Sequence, residues 1–169
     1  MYFHEDLLNR INLISPRFAA ETEVVRTMYN FALRATEIIN NADFITFTGS
    51  NVSIRGAKNG EQQQLFAPPN VDEIKNFVEK WNNNMLKMSF SKLKRFCDDN
   101  FGMYKCDRRT NNISTHIFRF AKAQEVYVQT NDIQAVMEAL REKTQRNAEI
   151  YVRSIFYREK DNPFTPIIY

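Results

Sequence analysis

Residues 113–129 read ISTHIFRFAKAQEVYVQ, and the fold class turns on them. The run is rich in β-branched and aromatic residues, the types that suit a pleated, half-buried surface. Apolar and polar residues alternate. Ile113, Thr115, Ile117 and Arg119 would share one face of a strand, with Ser114, His116, Phe118 and Phe120 on the other. A second alternating run, QEVYVQ, follows, so the pattern predicts a hairpin turning across Ala121–Ala123.

Upstream lies KMSFSKLKRFCDDNFGMYKCDRR, residues 87–109. Ser89 or Ser91 can cap a helix that turns Phe90, Leu93, Phe96 and Cys97 inward and leaves Lys92, Lys94, Arg95, Asp98 and Asp99 outside. Gly102 suits a left-handed helix stop, and MYKCDRR reads as a short strand. Downstream, Thr130 or Asn131 caps a long last helix through Ile155, polar all round at REKTQRNAE. The tail, residues 162–169, stays apolar despite Pro163 and Pro166 and reads as an extended segment that packs on the body or on a partner.

The first 86 residues begin with a short amphipathic helix. Ser15-Pro16 then caps a long helix reaching about Asn41. FITFT and NVSIR flank Gly49-Ser50 as a hairpin. Asn70, with Glu73 three residues on, caps a helix whose Val71, Ile74, Val78, Trp81 and Met85 fall on one face. Clustered hairpins between helices imply an α+β fold. The expectation is one compact domain over residues 1–169, with long N- and C-terminal helices packed on a small antiparallel sheet. Its parts are a helical segment 1–41, a hairpin and helix at 42–86, a basic helix/strand segment at 87–122, and a strand, long helix and tail at 123–169.

The chain has 169 residues, with a net charge of +3, 14 Phe and only 4 Gly. The charge is uneven. Residues 1–86 carry 8 Lys/Arg against 10 Asp/Glu, and residues 123–169 carry 6 against 7. Residues 87–122 carry 9 against 3, so the whole positive excess sits there. A cationic surface of this kind fits phosphate backbones. Its members are Lys87, Lys92, Lys94, Arg95, Lys105, Arg108, Arg109, Arg119 and Lys122.

Enzyme motifs are sparse. Of two histidines, His4 lies near a terminus and His116 reads as a half-buried strand residue. Cys97, Cys106 and His116 lack the close pairing of zinc ligands, so neither a metal nor a cofactor is expected. Tyr157-Arg158-Glu159-Lys160 resembles the Tyr-x-x-Lys of rolling-circle replication nucleases, but their His-hydrophobic-His motif is missing. Tyr157 therefore reads as the last apolar-face residue of the final helix. GSNVSIRGAKNGEQQQLFAPPNVDEIKNFVEKW, residues 49–81, resembles the region ahead of the active site of Fic-type AMP-transferring enzymes. The His-Pro-Phe motif of that family does not follow, so the resemblance supplies no site residue.

These readings predict a non-catalytic protein whose basic face contacts DNA or RNA by charge and shape. One alternative is an oligomeric structural or accessory subunit of a viral or phage-type assembly, joined to itself or another protein through residues 162–169. Another is an enzyme with an unrecognised site. MYFHEDLLNRINLI is no secretory leader and no run approaches a membrane span, so a cytoplasmic setting without membrane contact is expected.

Overall fold

Residues 113–130 form one continuous helix, not a hairpin, in a computed structural model that describes residues 2–39, 45–54, 70–107 and 113–158. The expected turn at Ala121–Ala123 has no Gly, Asn, Asp or Pro to reverse the chain. The run is instead buried almost all round: Ser114, Thr115, Ile117, Phe118, Arg119, Phe120, Ala121, Ala123 and Gln124 are all covered. A helix enclosed on every side shows no single apolar stripe, and its buried run is easily taken for a strand.

Around this axis the described elements run in order. Helix α1 is Phe3–Asn12, a 3-10 turn follows at Pro16–Phe18, α2 is Ala19–Asn30 and α3 is Ala35–Ile39. Strands β1 (Thr46–Thr48) and β2 (Asn51–Ser53) come next, then α4 (Val71–Asn82), α5 (Phe90–Phe101) and β3 (Tyr104–Cys106). The enclosed helix is α6 (Ile113–Thr130), followed by α7 (Ile133–Leu140), α8 (Gln145–Arg153) and β4 (Phe156–Arg158). Helices α1, α2, α5, α7 and α8 all pack on α6. The result is a single compact α+β domain, mostly helical, with two small antiparallel strand pairs among the described residues.

The two long terminal helices are broken. The first divides into the 3-10 turn, α2 and α3, and the last into α7 and α8. The breaks after α2 and after α7 are left-handed turns. After α2, Ala32 has φ +50°, with Leu33 N–H donating to Met28 O and Ala32 N–H to Tyr29 O. After α7, Arg141 has φ +57°, with Glu142 N–H donating to Met137 O and Arg141 N–H to Glu138 O. Both are paired-bond helix stops that usually use glycine at the left-handed position. This glycine-poor chain uses Ala and Arg there, and Asn84 in the same role after α4.

Several local readings hold. Asn70 caps α4 by accepting from Glu73 N–H at 3.3 Å, and Ser89 caps α5 by accepting from Lys92 N–H at 3.1 Å. Leu93, Phe96 and Cys97 are buried on α5 and Phe90 is half-buried. The β1–β2 hairpin pairs Thr46 with Ser53 across Gly49, whose φ is +61°. Others are corrected. Gly102 has right-handed φ −64°, because Gly102 N–H simply completes α5 onto Asp98 O. Met85 lies past the end of α4 and is exposed. The cap of α7 is Asp132, since α6 runs through Thr130. Tyr157 lies on β4 opposite Lys105, not on a helix. The apolar tail 162–169 and residues 55–69 of the segment that carries the Fic-type resemblance lie outside the described residues.

The first helix and the last described strand are stapled together. Strand β4 pairs with β3, and Phe156 stacks on Phe3 of α1 at 4.0 Å between ring centroids. Buried Asp6 of α1 accepts from Tyr104 Oη at 2.6 Å and from Arg158 Nε at 3.1 Å. Removing a buried carboxylate leaves Tyr104 without this acceptor. Asp6→Ala should therefore cost about 2–3 kcal/mol in urea unfolding, and Asp6→Asn less, because one acceptor oxygen remains.

Candidate active site

The centre of α6 carries the unusual group. Arg119 is fully buried, with no exposed surface. A buried guanidinium is tolerable only when its donors are satisfied and its charge balanced. Arg119 Nη1 donates to Ala32 O at 2.7 Å, and Nη2 donates to Leu140 O at 3.0 Å and to Glu142 Oε1 at 2.9 Å. The two carbonyls belong to the ends of α2 and α7, where helices leave oxygens unpaired and the helix dipole is negative. The left-handed turns at Ala32 and Arg141 thus aim both ends at one side chain.

Two further arginines join it. Arg34 Nη2 donates to Glu142 Oε1 at 2.9 Å, the same oxygen that Arg119 holds. Arg141 donates to Phe31 O at 2.8 Å, to Ala32 O at 3.0 Å and to Glu37 Oε1 at 3.0 Å. Glu37 is fully buried and also accepts from Arg34 N–H at 2.7 Å. Burial pulls Arg141 down to about 10, still charged at neutral pH. Three guanidiniums against the carboxylates of Glu37 and Glu142 leave one positive charge in excess. The cluster is therefore biased toward an anion.

A tyrosine hydroxyl lies beside it. Tyr151 of α8 places its hydroxyl 3.3 Å from Arg119 Nε, which donates to it, and 2.7 Å from His116 Nε2. His116 and Arg119 are three residues apart, so one helix face presents both. Helix α8 is held in place by Gln124, which donates to Tyr151 O at 3.2 Å and Ser154 O at 2.8 Å. Burial, with the charges of Arg119 and Arg34, pushes the His116 imidazole down to about 4. It is neutral at pH 7 and can accept a proton.

The expected basic face divides accordingly. Lys87, Lys92 and Arg95 are exposed. Lys94 is half-buried and pairs with Asp98 at 2.7 Å. That bond, with one from Ser114, holds the Asp98 carboxyl below its usual range. Lys105 is half-buried on β3. Lys122 reaches Glu125 at 2.8 Å and lies over the Tyr29 ring. Arg108 and Arg109 lie outside the described residues. Arg119 is a correction: a helix places it at the core of the molecule, where a strand face would have put it on the surface. Sequence reasoning also passed over Arg34, Glu142 and Tyr151. The one available signal was the His116-x-x-Arg119 spacing, meaningful only once the segment is a helix. Among the described residues no cluster of His, Cys, Asp and Glu could hold a metal ion, and no helix is long and apolar enough to cross a membrane.

No protein-family model matches the chain, and no curated protein does. Solved structures do. The XerH site-specific recombinase bound to difH substrate, in a pre-cleavage complex, aligns with a TM-score of 0.58 and 16% identity over 89% of this chain and 49% of that one. Its post-cleavage complex with a palindromic difH substrate aligns with a TM-score of 0.56, also at 16% identity, over 89% of this chain and 48% of that one. The chain shares this fold and spans about half the length of the recombinase.

His116 gives the cluster a signature in stability. Its folded value of about 4 lies below the ordinary 6.5. Between those pH values the unfolded chain takes up a proton that the folded protein refuses. The contribution is intact above about pH 6.5 and is lost as pH falls toward 4, on the order of 3 kcal/mol in all. His116→Gln should flatten that part of the profile, read as unfolding free energy against pH.

Proposed function

We propose that this domain binds DNA and cleaves one strand through Tyr151, forming a phosphotyrosyl link that a free hydroxyl end can later reverse. The observation that carries this is the placement of the Tyr151 hydroxyl between a neutral imidazole and a buried guanidinium. A tyrosine is a competent covalent nucleophile once a base takes its proton and a cation receives the developing charge. His116 Nε2 takes the phenolic proton. The phenolate oxygen bonds to phosphorus, and the bond from phosphorus to the leaving sugar oxygen breaks. That oxygen takes up a proton and departs as a hydroxyl. Arg119 and Arg34 face the phosphate oxygens, where the planar fork of guanidinium matches two acceptors at once.

The shared fold supports the same reading, because the neighbouring structures are of a recombinase captured before and after cleavage on its substrate. This departs from the non-catalytic role expected from the sequence and keeps DNA as the partner. Lys87, Lys92 and Arg95 then serve as sequence-independent contacts to the phosphate backbone, without a part in the chemistry. Lys94, Lys105 and Lys122 add to the overall positive field.

Two experiments test this. The protein is incubated with a randomised duplex library carrying a nick, and adducts are resolved in denaturing gels. Wild type should form a detergent-resistant protein–DNA adduct and Tyr151→Phe none, with DNA binding retained. Binding without any adduct would sink the catalytic reading, and an adduct in Tyr151→Phe would move the nucleophile elsewhere. In the second, Lys92→Glu with Arg95→Glu should weaken binding to all sequences and lower the slope of log affinity against log salt by about 2. An unchanged slope would remove α5 from the interface.

A further inference from the structure

Glu142 occupies the place where an anion would be held. Its Oε1 sits 2.9 Å from Arg34 Nη2 and 2.9 Å from Arg119 Nη2, bridging the two guanidiniums. Its Oε2 lies 3.5 Å from Asn147 Nδ2. The side chain is 11% exposed, whereas that of Arg119 is 0% exposed, so the carboxylate lies on the outer side of the buried cation.

The donor inventory of Arg119 shows what a phosphate would meet. A guanidinium has five N–H donors. Nε serves Tyr151, one Nη1–H serves Ala32 O, one Nη2–H serves Leu140 O, and the other Nη2–H serves Glu142. The two carbonyls are fixed by helix ends and cannot leave without unravelling them. Tyr151 is the nucleophile. Glu142 is the partner that can be exchanged, because a side-chain rotation releases it. Staying in place, it would set its negative charge against the incoming phosphate.

We propose that Glu142 is a built-in counter-anion. It positions Arg34 and Arg119 while no DNA is bound and yields its place to a phosphate oxygen on binding. This rests on reading the guanidinium pair as the phosphate site of the proposed reaction. Glu142 is a positioning residue, and it sets a threshold: only an anion that engages both guanidiniums replaces it. Single-point cationic contacts on the surface would not open the site.

A merely structural carboxylate and an exchangeable one differ in the sign of one measurement. Inorganic phosphate is titrated into wild type and Glu142→Gln, with binding read from the thermal shift at each concentration. Glutamine keeps the shape and one acceptor oxygen but removes the charge. The expected result is phosphate affinity about tenfold tighter in Glu142→Gln, or about 1.4 kcal/mol. Equal or weaker affinity would overturn the proposal. Should the Gln variant fail to fold, Glu142→Asp draws the carboxylate back by one methylene and loosens the bridge. Phosphate affinity tighter than in wild type is then expected, and no gain overturns the idea. The phosphate arm needs no DNA, so it separates from the adduct assay. Tighter phosphate binding without a tyrosyl adduct would leave the counter-anion standing and remove the reaction. An adduct with unchanged phosphate affinity would do the reverse.

Discussion

The guanidinium of Arg119, buried at the middle of α6, is the constraint on which the rest of the structure depends. Its charge cannot leave the core, because it sits on an enclosed helix. It therefore has to be met by oxygens brought from elsewhere. Those come from the ends of α2 and α7 and from the turn beyond α7. The long helices that periodicity suggests must break for this to happen. Ala32 and Arg141 accept left-handed backbone that glycine would take more cheaply. In return, carbonyls that would be orphaned in the interior gain charged donors, the stronger kind of hydrogen bond. Arg141 repays its own strain directly, since its side chain returns to Phe31 O and Ala32 O.

What could be read from the sequence divides along the same line. Helices α4 and α5 lie on the surface of the core, with one face in and one out. Their stripes and their Asn70 and Ser89 caps were legible. The β1–β2 hairpin was legible from Gly49. Helix α6 was not, because its first three turns are covered almost all round and show no stripe, and its Ile, Thr, Phe, Val and Tyr content matches strand preference. The missing turn residues at Ala121–Ala123 were the contrary sign. The site was hidden by that one misreading. On strands, His116 and Arg119 fall on opposite faces; on a helix they share one. Tyr151 carried no local mark, since a tyrosine on an amphipathic helix ordinarily packs. Arg34 and Glu142 come from distant segments, 108 residues apart, and only the fold joins them.

The charge reading was sound in its total and misleading in its parts. Residues 87–122 do carry the positive excess, but their members do different work. Arg119 is spent on the core, while Lys94 and Lys122 are paired with acids. Lys87, Lys92 and Arg95 remain exposed. Counting cations along a chain measures the field a protein projects, which governs encounter with a polyanion. It does not identify which cation touches a reacting group. That depends on burial and on the partners that orient it.

The same bonds that make the fold also prepare the site, and this has a physical consequence. Against Glu37 alone the three guanidiniums carry two excess positive charges, which is costly in the core unless a further anion is near. Glu142 supplies one from within the chain, and a phosphate would supply one from outside. Exchanging one for the other leaves Arg119 with its helix-end carbonyls and leaves Arg34 and Arg141 on Glu37. The packing of α2, α6 and α7 need not change. Only the α7–α8 turn, which carries Glu142, and the start of α8 have to respond. Helix α8 is also the element that carries Tyr151. The segment that has to respond when an anion enters thus leads into the helix that carries Tyr151, while Gln124 holds the far end of that helix and the cations that receive the anion stay fixed.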